Sequence, residues 1–204
     1  MLFRLTHDSK SKYTYVYRNK SLLGLKKSIC DACGRSIVVT EYSAGDRELV
    51  LDRGKEYPDY LQYCDAGNGY FLLSHHAIEV LLSNCISGIY KTERVLLIEQ
   101  ESYNKSVSHS VIPVYENTRI SGRAELHFEQ MFLKKKNYCS LCGQFEWNRK
   151  RIPPLVISSH SWDGSDLCIV TSMPGEIVCS KKFVEIVRKN KLSGFSFEEI
   201  VMVD

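Results

Sequence analysis

Two copies of a Cys-x-x-Cys-Gly motif, separated by more than a hundred residues, constrain this chain more than any other feature of its sequence. Two cysteines at this spacing can offer two thiolates from one tight turn, and structural zinc sites prefer four such ligands in a tetrahedron. The glycine after each pair takes a positive φ at little cost and leaves backbone N–H groups free to bond the sulfurs. We call each motif a knuckle and predict one structural zinc ion bound by both knuckles, with these ligands: Cys30, Cys33, Cys139 and Cys142.

Three other interpretations fit these cysteines less well. The four thiols could be unligated, although two knuckles in one chain favour a shared metal. A thioredoxin-like redox motif opens a helix that follows a strand, whereas the residues after the knuckles, RSIVV and QFEWN, are strand-like. A zinc deaminase would combine His127 and Glu129 with the second knuckle. However, Tyr138 stands where that motif has proline, and the first knuckle would have no role.

Cysteine usage also indicates the cellular compartment. Eight cysteines among 204 residues are too few for a disulfide-stapled secreted scaffold. The N-terminal sequence lacks the apolar stretch of a secretory signal, and no apolar run approaches the roughly 18 residues of a membrane span. We therefore expect a soluble cytoplasmic protein without membrane contact. Four cysteines outside the knuckles are expected to be buried structural thiols: Cys64, Cys85, Cys168 and Cys179.

The sequence is internally repeated. Residues 26–34, at the first knuckle, align without gaps to residues 135–143 at the second. About forty residues later, residues 71–89 align without gaps to residues 177–195. The identities in this second match are Ser74/Ser180, Glu79/Glu185, Asn84/Asn190, Ser87/Ser193 and Gly88/Gly194.

Each copy of the second match has the pattern of a capped helix between two strands. The serine at 74 or 180 is a favourable N-cap, and apolar residues follow at helical spacing: Ala77, Ile78, Leu81 and Leu82 in one copy, Phe183, Val184 and Val187 in the other. The glycine at 88 or 194 is suited to a left-handed C-terminal cap. Strands are predicted over 94–99 and 199–203. We therefore predict an α+β fold of two pseudo-repeats, each with a knuckle, strands, a capped helix and a closing strand, joined at one zinc site with four cysteine ligands.

These patterns divide the chain into three segments. Residues 1–98 form an N-terminal half with the first knuckle, residues 99–133 a connecting segment, and residues 134–204 a C-terminal half with the second knuckle. We expect the halves to form one globular unit. Within the connecting segment, Pro113 suggests an edge strand because proline cannot donate to a ladder, and residues 124–133 suggest a helix.

Charge alone identifies no partner. The net charge is +3 and the pI about 8.3, which is below the value above about 9 that is typical of nucleic-acid-binding domains. Basic clusters flank the knuckles at residues 26–27, 134–136 and 149–151, where they could contact phosphate, offset the charge of a zinc tetrathiolate or face solvent. His75 and His76 are adjacent on the predicted helix and point in different directions, so we expect an exposed polar first turn.

The two knuckles together with the C-terminal block GEIVCSKKFVEIVRKNKLSGFSFEEI give the chain a family resemblance. It resembles the double-CXXCG-motif family of bacterial immunity proteins, whose members have a similar length and carry two such motifs far apart. The resemblance implies the four knuckle cysteines as metal ligands, Gly34 and Gly143 as knuckle glycines, and no catalytic residues. It also implies a protein that neutralises a toxin delivered between competing bacteria.

The sequence therefore leads to two expectations of different classes. The first is a non-enzymatic, cytoplasmic immunity protein that binds a cognate toxin and contains one structural zinc ion. The alternative is a zinc-ribbon-type nucleic-acid-binding or regulatory protein, whose binding would depend strongly on salt. The chain has no Gly-rich phosphate loop, no G-x-S-x-G motif and no paired-carboxylate motif to indicate an enzyme.

Overall fold

A computed structural model describes residues 1–8, 15–19, 22–42, 47–52, 56–63, 71–99, 112–131, 139–142, 154–173 and 175–204. These residues form a strand-rich α+β fold, as predicted, with two α-helices among fourteen strands. The helices are α1 (His75–Ser83) and α2 (Lys181–Lys189). The strands are β1 (Leu2–His7), β2 (Tyr15–Asn19), β3 (Leu22–Ile29), β4 (Ser36–Tyr42), β5 (Arg47–Asp52), β6 (Tyr60–Tyr63), β7 (Phe71–Ser74), β8 (Ile89–Glu99), β9 (Tyr115–Ile120), β10 (Gly122–Ala124), β11 (Val156–Ser158), β12 (Leu167–Val170), β13 (Ile177–Ser180) and β14 (Phe195–Val203).

Both helices begin where the sequence predicts. The hydroxyl oxygen of Ser74 accepts a hydrogen bond from the backbone N–H of Ala77 at 3.0 Å, and that of Ser180 accepts one from Phe183 at 3.2 Å. Each serine therefore satisfies one of the N–H groups that a helix start leaves without an intrahelical partner. The predicted apolar stripes face the core, with one exception: the side chain of Leu82 is 52% exposed.

The strands form two large sheets and a hairpin. Six strands close a barrel in the order β2-β5-β8-β9-β7-β6, and six others form a sheet in the order β10-β12-β13-β1-β14-β11. The hairpin pairs β3 with β4 and holds the first knuckle at its turn. An isolated antiparallel bridge joins Leu126, two residues after β10, to Ile157 in β11, and β10 and β11 are the two edges of this open sheet.

The first strand of the chain belongs to the sheet built from the last residues of the chain. Strand β1 pairs antiparallel with β13 and with β14. Strand β9 has the same relation to the barrel, because it pairs antiparallel with β7 and with β8. Strand pairing therefore crosses both boundaries drawn from the sequence, at 98/99 and at 133/134.

The largest core cluster lies between the two helices and the strands beneath them. It contains apolar side chains from both ends of the chain, including Phe71, Leu81, Phe183 and Val187, all at most 2% exposed. A second cluster fills the open sheet and a third fills the barrel. Burial of this shared cluster gives the two halves a large common apolar interior.

The structure corrects two expectations about the segment 99–133. Residues 112–114 precede β9, which has neighbours on both sides, so the predicted edge strand near Pro113 is wrong. The predicted helix over 124–133 is also wrong within the described residues, where Leu126 makes a strand bridge and residues 128–131 form turns. Buried Ala124, Leu126 and Met131 instead pack into the core of the open sheet.

The glycines predicted as helix caps have a different role. The left-handed residues that follow the helices are Cys85 (φ 53) and Lys191 (φ 55), whereas Gly88 and Gly194 come three residues later with φ values of 90 and 85. A Cβ atom at Gly88 would overlap the carbonyl oxygen of Leu167. A Cβ atom at Gly194 would likewise overlap the carbonyl oxygen of Tyr60. These glycines therefore permit close approach of two backbones, in addition to a positive φ.

Candidate metal centre

The first knuckle is the turn of the β3–β4 hairpin. The Cys30 N–H donates to the Arg35 carbonyl oxygen at 2.8 Å, and the Gly34 N–H donates to the Cys30 carbonyl oxygen at 2.8 Å. Gly34 has a φ of 68, and open space surrounds the position that a Cβ atom would occupy. The backbone conformation alone therefore favours glycine here, as predicted for the turn that offers two thiolates.

The second knuckle brings Cys139 and Cys142 onto one turn, residues 140–142. Gly143 and the predicted strand QFEWN after it lie outside the described residues. The strand predicted after the first knuckle is confirmed as β4. That strand argues against a thioredoxin-like arrangement at the first knuckle, because a helix would follow the motif there.

The two knuckles meet, and their four sulfur atoms form one cluster. The Sγ atoms of Cys30 and Cys139 are 3.7 Å apart, and those of Cys33 and Cys142 are also 3.7 Å apart. All four sulfurs lie within 4.8 Å of one another. Ligands at about 2.3 Å from a central zinc ion would stand about 3.8 Å apart in a tetrahedron. The donor set and its spacing therefore fit a tetrathiolate metal site.

The cluster is shielded but lies close to the surface. Cys30 and Cys139 are buried, whereas Cys33 and Cys142 are half-buried. The neighbouring Ile29 and Leu141 are 72% and 68% exposed. Each knuckle therefore buries one thiol deeply and presents one apolar side chain to solvent.

The electrostatics of the four thiols show why a cation suits this site. A backbone hydrogen bond from Cys142 stabilises the Cys139 thiolate and lowers its pKa to about 6, although burial opposes the shift. Cys33 also receives a backbone hydrogen bond, from Arg35, but burial and the neighbouring thiols outweigh it and raise its pKa to about 12. One thiolate is therefore favoured, while further ionisation places like charges together. A divalent cation removes this conflict because it binds thiolates directly.

The structure separates the other candidate residues from this cluster. The four-cysteine group includes neither His127 nor Glu129, as far as the described residues go. The first-turn His75 is exposed, as expected. Its imidazole interacts with Glu116 at 2.9 Å and Glu79 at 3.4 Å, and the hydrogen bond with Glu116 raises its pKa.

Several predicted features lie partly or wholly outside the described residues. These are the side chains of the basic pair at 26–27, the basic clusters at 134–136 and 149–151, and Cys64. Among the remaining single cysteines, Cys168 and Cys179 are buried on β12 and β13, which confirms the prediction. Cys85 is exposed, so the prediction is wrong for that residue.

Sequence reasoning missed two carboxylates that connect the halves, one of them buried and the other half-buried. Asp166 accepts from the hydroxyl of Ser180 at 2.7 Å and from the backbone N–H of Ser87 at 3.0 Å. Its N–H donates to the Ser87 hydroxyl at 2.9 Å. Asp166 thus links the cap of α2 to the loop after α1, and we call this arrangement the second clasp.

The first clasp is its counterpart on Asp59. This carboxylate accepts from the hydroxyl of Ser74 at 2.6 Å and from the backbone N–H of Ser193 at 2.8 Å. The serines belong to the identities of the sequence repeat, which could have indicated a shared partner. Asp59 precedes its capping serine by 15 residues, whereas Asp166 precedes its own by 14. A gapless alignment of the two copies therefore does not align one aspartate with the other.

Comparison with known proteins adds no relative. Neither a scan against models of known protein families nor a search of curated proteins found a match for the chain. Neither α-helix in the described part of the chain has the length and apolar character that crossing a bilayer requires.

Proposed function

We propose that the cluster binds one structural zinc ion. The observation that carries this proposal is the convergence of four thiols, from knuckles 109 residues apart, at the spacing of a tetrahedral site. Four thiolates leave a tetrahedral zinc ion no open position for water or substrate. The metal would therefore stabilise the protein and would not perform chemistry.

We also infer that the two halves are pseudo-repeats and that each is completed by a strand from elsewhere in the chain, β1 for the C-terminal half and β9 of the connecting segment for the N-terminal half. The order β6-β7-α1-β8 is repeated as β12-β13-α2-β14. In each set the closing strand has a parallel partner, which is β5 for β8 and β11 for β14. Strand β9 pairs antiparallel with β7 and β8 of the first set, and β1 pairs in the same way with β13 and β14 of the second set. The two clasps reproduce this correspondence in their hydrogen bonds. Two such halves meeting at one four-cysteine site agree with the repeat in the sequence.

The function that we propose is neutralisation of a cognate bacterial toxin by direct binding, in the cytoplasm of the cell that is protected. Its support is the resemblance of the two knuckles and the C-terminal block to the immunity family, together with a closed metal site suited to a structural role. A rigid fold with a shared core is suited to this task, because a preorganised surface loses little conformational entropy when it binds.

Purification with the product of the adjacent gene tests the function. We expect a stable complex, one zinc ion per chain, and protection of cells that express the adjacent gene. The matched control is the same experiment with an adjacent-gene product from an unrelated locus. Absence of both a complex and protection would refute the proposed function, whatever the zinc content.

A further inference from the structure

A groove lies at the C-terminal end of α2. Its volume is about 480 Å³, and its lining includes Arg188 and Lys191 from the end of the helix and Phe195 and Phe197 from β14. The two aromatic rings are nearly parallel, with centroids 6.2 Å apart and an interplanar angle of 8°. The groove thus places two cations beside a partly apolar surface; we call it the α2 groove.

The two cations are available for an external partner. Arg188 and Lys191 are exposed, and no acid of the described residues lies within ion-pair distance of either one. By contrast, Lys182 on the same helix pairs with Asp166 at 3.2 Å, and Lys181 pairs with Glu185 at 3.6 Å. On this helix and directly after it, the cations without an acidic partner among the described residues are Arg188 and Lys191 at the groove and Lys189 outside it.

The end of the helix does not need these cations. Cations near a helix C-terminus interact favourably with the helix dipole, which would be a purely structural explanation. However, α1 ends in the same way without any basic residue in its last turn. At the end of α1, Leu82 and Cys85 occupy the positions equivalent to Arg188 and Lys191. The Cys85 N–H donates to the Leu82 carbonyl oxygen at 3.0 Å. In the same way, the Lys191 N–H donates to the Arg188 carbonyl oxygen at 3.1 Å. The positive charge is therefore a feature of the groove.

We propose that the α2 groove receives a short segment of a protein partner that carries acidic and apolar side chains. The partner is the toxin if the proposed function holds, and in that respect the inference rests on it. A continuous nucleic-acid backbone suits the groove less well. Asp8 also lines the groove, so a continuous run of phosphates would meet its carboxylate. A protein segment can place its acids at the cations alone.

Two double variants with the same loss of charge test this inference. Arg188→Gln with Lys191→Asn removes the cations of the groove, and asparagine tolerates the left-handed backbone at 191. Lys181→Gln with Lys189→Gln removes two cations from the same helix that do not line the groove. Thermal unfolding of both variants verifies that they fold, as the uncharged end of α1 leads us to expect.

The binding probe is a fluorescent peptide of alternating glutamate and leucine, measured by anisotropy at low ionic strength. We expect the groove variant to bind it at least about tenfold more weakly than wild type, and the control variant within about twofold. Binding by wild type should weaken as salt is added. Equal binding by wild type and groove variant would overturn the proposal, as would tighter binding of an oligothymidylate of equal charge. The peptide assay contains no toxin, so its outcome is separate from the outcome of the experiment that tests the proposed function.

Discussion

Replacing Asp166 by asparagine should destabilise the protein by about 3 kcal/mol, because the second clasp depends on its charge. The Asp166 side chain is 11% exposed. Its carboxylate accepts from the Ser180 hydroxyl, the Ser87 N–H, the Ser87 hydroxyl at 3.1 Å and the Lys182 ammonium at 3.2 Å. An amide keeps one acceptor oxygen and directs N–H groups at the donors that remain. Hydrogen bonds to a charged group contribute about 1.5–3 kcal/mol each, and a buried donor left without a partner costs about 1–3 kcal/mol.

The effect should also depend on pH with a defined sign. Burial disfavours the Asp166 carboxylate, but the hydrogen bonds from Ser87, Ser180 and Lys182 outweigh it and lower its pKa below the ordinary 3.8. A carboxylate with a lowered pKa stabilises the folded state above its unfolded pKa, and this contribution is lost as the pH falls through the folded value. The difference in the free energy of unfolding between wild type and Asp166→Asn should therefore be largest at pH 7 and should decrease below pH 3.8.

Urea unfolding of wild type and Asp166→Asn at pH 7 and at pH 3 measures both the loss of stability and its dependence on pH. Glu199→Gln is the matched control, because Glu199 is exposed and its side chain has no hydrogen-bond partner among the described residues. We expect the control to differ from wild type by at most about 0.5 kcal/mol. A difference under about 1 kcal/mol for Asp166→Asn at pH 7, or one that is the same at pH 3, would refute this account of the clasp.

Three further predictions concern the proposed metal, the close backbone contacts and the half-buried His7. Cys33→Ser should lose most of the bound zinc and about 3 kcal/mol or more of stability, whereas Cys85→Ser at an exposed cysteine should keep both, as measured by metal analysis and thermal unfolding. Gly194→Ala should cost about 2–4 kcal/mol in urea unfolding because it combines overlap with a positive φ, whereas Gly164→Ala, with a φ of 83 and open space, should cost about 1 kcal/mol. Burial lowers the His7 pKa from 6.5 to about 4, so protonation favours the unfolded state as pH falls between these values. Between pH 7 and pH 4, the free energy of unfolding of wild type should fall by about 3 kcal/mol relative to that of His7→Phe. The same pH dependence of unfolding free energy in both proteins would contradict this assignment.

The parts of the structure that depend on local sequence could be predicted. A capping serine followed by apolar residues at helical spacing specifies α1 and α2, because both signals act within one or two turns. The four-cysteine cluster could be predicted for a similar reason, since each knuckle contributes two thiols from a single turn. Geometry then requires only that the two turns meet.

Strand partners could not be predicted in the same way, because pairing joins residues that are distant in the chain. The apolar residues Leu2, Phe3 and Leu5 are compatible with a strand but do not indicate that β1 lies between β13 and β14. Pro113 suggested an edge, yet it precedes β9 and leaves every N–H of that strand free to pair. The clasps were missed because Asp59 and Asp166 each bond a serine of the other half, and only tertiary structure brings those residues together.

The distribution of these links determines what the metal contributes. If the four-cysteine cluster were the main connection between the halves, removal of zinc would separate them. However, strand β1 lies within the C-terminal sheet, the largest core cluster includes both helices, and each clasp joins residues of both halves. None of these contacts passes through the knuckles. Removal of zinc should therefore loosen the β3–β4 hairpin and the turn at Cys139 while the sheets and helices remain assembled. If the cluster holds zinc as we propose, the metal fixes the relative positions of the two knuckles on a fold that is already joined, and its contribution to stability adds to that of the clasps.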